Sequence, residues 1–244
     1  MIDHAIEVIA STYGERVRIK DKFLSKFGRF ASLGTAYETV QEQGGLEVKQ
    51  TDNLIDTVVS DNAGDNQSVR IEGHTIDGSG NLTFTVQTPT LNGTTNVTLS
   101  TPLARATRIT NEGSTDFAGT VTIFDATTPA TIFLQADGTH NRSQKAATSI
   151  SSKDYWIITG LYGAVEKKAA ASADFSLQVK KQGGVFQEVF GFTASSSAVS
   201  PLLQLTSPII VPSNSDVRLN AAASTSGVEV VGRIEGYLAI DEAA

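Results

Sequence analysis

Leu82-Thr-Phe-Thr-Val-Gln-Thr88 alternates apolar and small polar residues without a break. Successive side chains of a strand point to opposite faces, so this period of two marks a half-buried β-strand. Just upstream, Asp77-Gly-Ser-Gly-Asn81 holds the residues a tight turn needs. Before that turn, Ser68-Val-Arg-Ile-Glu-Gly73 alternates again, and the two runs read as a hairpin. Downstream, Leu91-Asn-Gly-Thr-Thr95 is a second turn, with strands expected at 96–100 and 104–110.

The same kind of run continues to the end of the chain. Strands are expected at 120–125, 131–134, 144–150, 155–165, 174–181, 185–192, 203–211, 217–221 and 228–240. That density fits a β-sandwich, and a jelly roll has eight main strands. The expected fold is all-β: a small N-terminal β-domain followed by a jelly-roll-like β-sandwich, with a short N-terminal arm. Asn111-Glu-Gly-Ser-Thr115 reads as the junction. The domains are then an arm over 1–30, a small shell-binding β-domain over 31–117 and the sandwich over 118–244. Ile2, Ile6, Ile9 and Tyr13 share one helical face, so 2–13 reads as a short helix stopped by Gly14. Residues 28–58 read as loops with a strand or two.

Composition narrows the chemistry. Of the 244 residues 40% are hydrophobic, enough for a sizeable core. Only 18% are charged, against about 25% in ordinary soluble domains. With no cysteine, disulfides and thiolate metal sites are excluded. His4, His74 and His140 stand in no metal-ligand spacing and read as surface or loop residues. No apolar run approaches the ~18 residues of a membrane span. The start Met1-Ile-Asp-His-Ala-Ile-Glu7 carries acids among its apolar residues, unlike the basic start of a secretory signal, so synthesis in the cytosol is expected. The Asn-x-Thr sequons at Asn81, Asn92 and Asn96 follow from a Thr-rich chain.

The net charge of −7 is unevenly spread. Arg16, Arg18, Lys20, Lys22, Lys26 and Arg29 surround a single acid, Asp21, so this segment carries +5 and the remainder −12. Val17, Ile19, Phe23, Leu24, Phe27 and Phe30 interleave with the cations. The segment fits a solvated strand or helix face, or an arm that docks on an acidic neighbour. In the docking reading Arg16, Arg18, Lys20, Lys22, Phe23, Lys26, Phe27, Arg29 and Phe30 bind the partner. Rings supply buried area and cations supply register. Nucleic acid is discounted as a target, because the acidic remainder repels phosphates.

No nucleophile elbow, zinc-binding His pair, phosphate loop or dinucleotide fingerprint occurs. Carboxylates are plentiful, but sequence does not place two of them at the roughly 5–10 Å a glycosidase needs. Asp61, Asp65 and Asp77, with Asn62, Asn66 and Asn81, offer oxygens for calcium but lack the EF-hand spacing. Turn chemistry accounts for them. Trp156, within Tyr155-Trp-Ile-Ile158, reads as core. No cofactor or metal is expected.

Several segments, taken in order, resemble a known pattern. They are Val69-Arg-Ile-Glu-Gly73, Leu91-Asn-Gly-Thr-Thr95, Ala104-Arg-Ala-Thr-Arg-Ile109, Gly119-Thr-Val-Thr-Ile123, Pro208-Ile-Ile-Val-Pro-Ser-Asn-Ser-Asp-Val217 and Gly236-Tyr-Leu-Ala-Ile-Asp241. Over residues 26–241 the chain resembles virion structural proteins of tailed phages, of the marine phage and cyanophage type. The resemblance implies a non-enzymatic protein that decorates or cements a capsid. Its location would be the virion, after synthesis in the host cytoplasm, and its partner the major capsid protein or another virion protein. A tail, neck or fibre component that binds a host receptor is the alternative. The basic segment is not part of the resemblance. Small-residue surfaces and the lack of disulfides add the expectation of a homotrimer.

Overall fold

The computed structural model describes residues 17–167, 171–198 and 202–241. The expected helix over 2–13 and Arg16 lie outside these residues, and so do the side chains of Arg18 and Lys20. Within them the chain forms strands and no helix. Strands β1 (Val17–Leu33) and β2 (Glu38–Thr39) come first. Next are β3 (Ile55–Ser60), β4 (Val69–Ile76), β5 (Leu82–Gln87), β6 (Val97–Leu103), β7 (Arg105–Asn111), β8 (Val121–Phe124) and β9 (Ile132–Ala136). Then follow β10 (Ala147–Ser149), β11 (Asp154–Lys167), β12 (Ser172–Lys181) and β13 (Gln187–Ser195). The last are β14 (Leu203–Val211), β15 (Ser215–Ala223) and β16 (Val228–Asp241).

Two compact units result, and they divide the chain elsewhere than at 30/31 and 117/118. One unit is Met1–Val40 with Ala146–Ala244, and the other is Gln41–Lys145. The smaller unit is therefore inserted into the larger one rather than preceding it. The reason lies in pairing: β8 joins β3 and β9 joins β8, so Asn111–Thr115 is an internal loop and not a junction.

The larger unit has one sheet ordered β1-β16-β11-β14 and another ordered β10-β15-β12-β13, all antiparallel. If β1 and β10 to β16 are counted as first to eighth, the orders read 1-8-3-6 and 2-7-4-5. That is the double Greek key of a jelly roll. The inner faces share one core, with Trp156, Ile158, Phe175, Leu219 and Ile234 at its centre. Trp156 is wholly buried, as its strand context implies. The first strand of this jelly roll is β1, so from Val17 onward the expected arm is part of the fold. Its alternation has the same cause as in the other strands: Leu24 and Phe30 pack against the core while Phe23 points away.

The second strand of the jelly roll is made in two pieces. Glu38 and Thr39 of β2 pair with Ala221 and Asn220, and the Val40 N–H reaches Leu219 O. The line resumes with Ala147, Thr148 and Ser149 of β10 opposite Arg218, Val217 and Asp216. Ala146 closes the splice: its N–H donates to Val40 O and its carbonyl accepts from the Leu219 N–H, each at 2.9 Å. The register along β15 runs through without a missing residue, although a whole sandwich lies between Val40 and Ala146 in sequence.

A row of glycines lets the two sheets close over this splice. Gly28 of β1, Gly232 of β16 and Gly163 of β11 stand side by side. A Cβ at Gly28 would overlap the Val40 carbonyl oxygen and stand 2.5 Å from the Ala146 nitrogen. At Gly232 it would meet Leu219, and at Gly163 the rings of Phe192 and Phe175.

The inserted unit is also a two-sheet sandwich, ordered β6-β3-β8-β9 and β5-β4-β7. Val58, Ile71, Leu103, Ile109, Ile123 and Leu134 fill its core. The hairpin expected around Asp77 is β4–β5, paired without a slip from Ile71↔Gln87 to Ile76↔Leu82.

Candidate interaction surfaces

The basic segment is an edge strand. Among the described residues β1 pairs with β16 alone. Its charges and rings are used unequally. Lys22 and Phe23 are exposed, Phe23 at 51%, with its ring edge-on to Tyr237 at 5.4 Å. Lys26 points inward and is buried. Phe27 and Phe30 are half-buried. Arg29 donates from Nε to Glu229 Oε1 at 2.6 Å, and Nη2 contacts the same oxygen. Glu229 is itself buried, so this pair is a structural contact of the sheet. Of the expected partner-binding set, the fold presents Lys22 and Phe23 outward and draws Lys26, Arg29 and Phe30 into its own packing.

The opposite side of the jelly roll has another character. It is formed by the edge strands β13 and β14. No charged residue occurs from 189 to 215. Val185 is 74% exposed and Val189 44%. Phe190, Phe192, Leu203, Leu205 and Ile209 of these strands are only partly buried against the core. The stacked pair Phe175–Phe192 lies at 5.0 Å, with Phe190 at 6.3 Å from Phe192. The absence of charge over this stretch was visible in the sequence, and it is the signal that local strand patterning passes over.

The polar clusters of the inserted unit are occupied by its own structure. Asp65 accepts from Ser60 Oγ at 2.6 Å, from the Ala118 N–H at 2.8 Å and from the Gly119 N–H at 3.1 Å. Burial pushes its pKa up, but these donors and Gln67 outweigh burial and hold the carboxyl below its usual range. Asp61 accepts from the Thr120 N–H, Asn62 from the Gly64 N–H, and Asp77 from the Ser79 and Asn81 N–H groups. Asp61, Asp65 and Asp77 thus bond to backbone groups of the turns and loops around them. Glu47 is buried between Lys145, at 2.6 Å, and Lys49, at 2.8 Å. Its burial raises the pKa, but the two ammonium charges prevail and lower it.

Glu42, Asp137 and His140 bring one ligand atom each within 4.8 Å of one another. Three such donors could hold a divalent cation. The arrangement is also accounted for by hydrogen bonds, since Asp137 meets His140 through its N–H at 3.0 Å and its Nδ1 at 3.1 Å. Sequence spacing missed this group because Glu42 lies far from the turn that holds the other two.

Taken together, the chain is an all-β protein in which a jelly roll carries a second sandwich on one of its strands. No known family profile matches it, and no curated protein does. Among solved structures it is similar to that of the infectious bursal disease virus Gx strain, with 10% identity over 92% of this chain and 74% of that one and a TM-score of 0.24. It is also similar to the infectious bursal disease virus VP2 subviral particle, with 10% identity over 97% and 77% and a TM-score of 0.21. Likeness at these scores carries no weight for fold or role; the strand order defines the fold.

Proposed function

We propose that this protein is a non-enzymatic structural component of a virus particle, which decorates or cements the capsid as a homotrimer. The observation that carries the reading is the jelly-roll strand order, an architecture shared by viral capsid and lectin domains. The ordered resemblance to tailed-phage virion proteins points the same way. The mechanism is adhesive: modest contacts to the major capsid protein or another virion protein, multiplied by several copies. Lys22 and Phe23 on the edge of β1 are the proposed docking contacts. Burying one Phe is worth roughly 1.5–3 kcal/mol, whereas an exposed ion pair contributes about 1 kcal/mol or less. Phe23→Ala should therefore weaken co-sedimentation with purified particles more than Lys22→Ala. Equal binding by both variants and the parent would remove β1 from the contact.

Counting copies in purified particles by quantitative mass spectrometry tests the role itself. Decoration requires on the order of hundreds per particle, set by shell symmetry. A few to tens would instead assign the chain to the tail, neck or fibre, and absence from the particle would overturn the reading.

A further inference from the structure

We propose that β13 pairs with the β13 of a second copy of this chain, antiparallel and about a two-fold axis, so that the β10-β15-β12-β13 sheet continues from one molecule into the next. An exposed sheet edge is a template for another strand, and proteins that avoid such pairing guard their edges with charge, proline, bulges or capped backbone groups. Of the other seven edge strands among the described residues five carry such guards, β10 is only three residues long and buried, and β5 has neither charge nor proline. Cations line β1, Pro208 interrupts β14, Pro102 interrupts β6, and Arg105 and Arg108 stand on β7. On β9 the Phe133 carbonyl is taken by the Gln43 amide and the Lys145 ammonium.

From Phe190 to Ser195, β13 has none of these. It follows β12 without a slip over those residues, with a bulge only before them at Val189. It contains neither charge nor proline there. Two chains of net charge −7 repel over most of their surfaces; the stretch 189–215 adds no charge of its own, and the acids on and beside β13 are Glu188 and Asp174.

The strand is also self-complementary. With Gly191 on the axis, Phe190 falls opposite Phe192 of the second copy, and Val189 opposite its Thr193. Cross-strand aromatic and β-branched pairs of this kind stabilise sheets. Glu188 lies beyond the Val189 bulge and its flexible carboxylate reaches back to Gly191, so the Glu188 side chains of both copies swing clear of the axis on pairing. The Phe175–Phe192–Phe190 row then runs on across the axis. A two-fold contact of this kind is distinct from the three-fold contact of a trimer, and the two together generate closed assemblies. The pairing does not depend on the virion role.

Cross-linking tests it on the purified chain alone, so its outcome is separate from that of the particle count. The chain has no cysteine, so a single introduced thiol forms a disulfide only with another copy. A Cβ at Gly191 has the flexible Glu188 carboxylate as its nearest neighbour, at 3.2 Å, and the Phe175 carbonyl oxygen at an ordinary 3.6 Å, so Gly191→Cys is tolerated. Gly78→Cys, in an open turn, is the collision control. Under mild oxidant, Gly191→Cys should form disulfide dimer at least roughly tenfold faster than Gly78→Cys, because pairing raises the effective concentration. Adding Val189→Lys should abolish that advantage, whereas Val86→Lys, on the uncharged β5, should leave it intact. Equal rates for the two cysteines, or indifference to Val189→Lys, would overturn the proposal. So would a chain that sediments only as monomer and binds a strand of a different protein at β13.

Discussion

Gly28 shows how much can rest on a hydrogen atom. Its missing side chain leaves room for the Val40 carbonyl and the Ala146 amide, which are the two ends of the splice. Gly28→Ala should destabilise the larger unit by about 1–3 kcal/mol or more, the usual cost of overpacking a closed site, read from chemical denaturation. Asp65 works by the opposite means, accepting one donor from the end of β3 and two from the loop before β8. Its depressed pKa sets the sign of its pH dependence. The carboxylate's contribution is complete above the unfolded value of about 4 and is lost as pH falls through the lower folded value. Asp65→Asn should cost about 1–3 kcal/mol at neutral pH and flatten the loss of stability between roughly pH 5 and pH 2. A denaturant midpoint with the same acid slope as the parent would contradict this. At this scale the sequence was partly legible. Turn-forming Asp77 and core Trp156 follow from their neighbours in the chain, whereas Gly28 answers to residues that only the fold brings to it.

The strands themselves were legible because alternation is a local property, and so was the β4–β5 hairpin, whose turn lies between its partners. What alternation does not encode is which distant strand completes a sheet. β8 and β9 follow the loop at Asn111–Thr115 in sequence but return to β3, so a boundary drawn at that loop falls inside one core. From Val17 onward the basic segment takes the strand alternative rather than that of an arm, and sequence does not choose between them, because surface cations mark an edge strand as readily as a free segment. The splice gives the decisive test of the two units. Replacing 41–145 with a short Gly/Ser loop should leave a folded jelly roll, because Val40 and Ala146 are already joined by one hydrogen bond and closing a short loop costs little. The expected product has β-type circular dichroism and a single cooperative unfolding transition. An unfolded product would mean that the larger unit needs the inserted one for stability.

For the molecule as a whole, charge and fold divide the labour. Cations gather on the edge of the first jelly-roll strand, and the far side is left without charge over 189–215. Both distributions were present in the sequence, but only the strand order reveals that they fall on opposite sides of one sandwich. The in-phase splice has a further consequence, which concerns descent rather than stability. A strand whose register is the same on either side of an insertion does not constrain what is inserted, beyond requiring that its two ends meet. Genes for such chains can exchange the segment between Val40 and Ala146 by recombination while the jelly roll stays the same, so diversity should accumulate in the inserted sandwich and restraint in the strands that carry it.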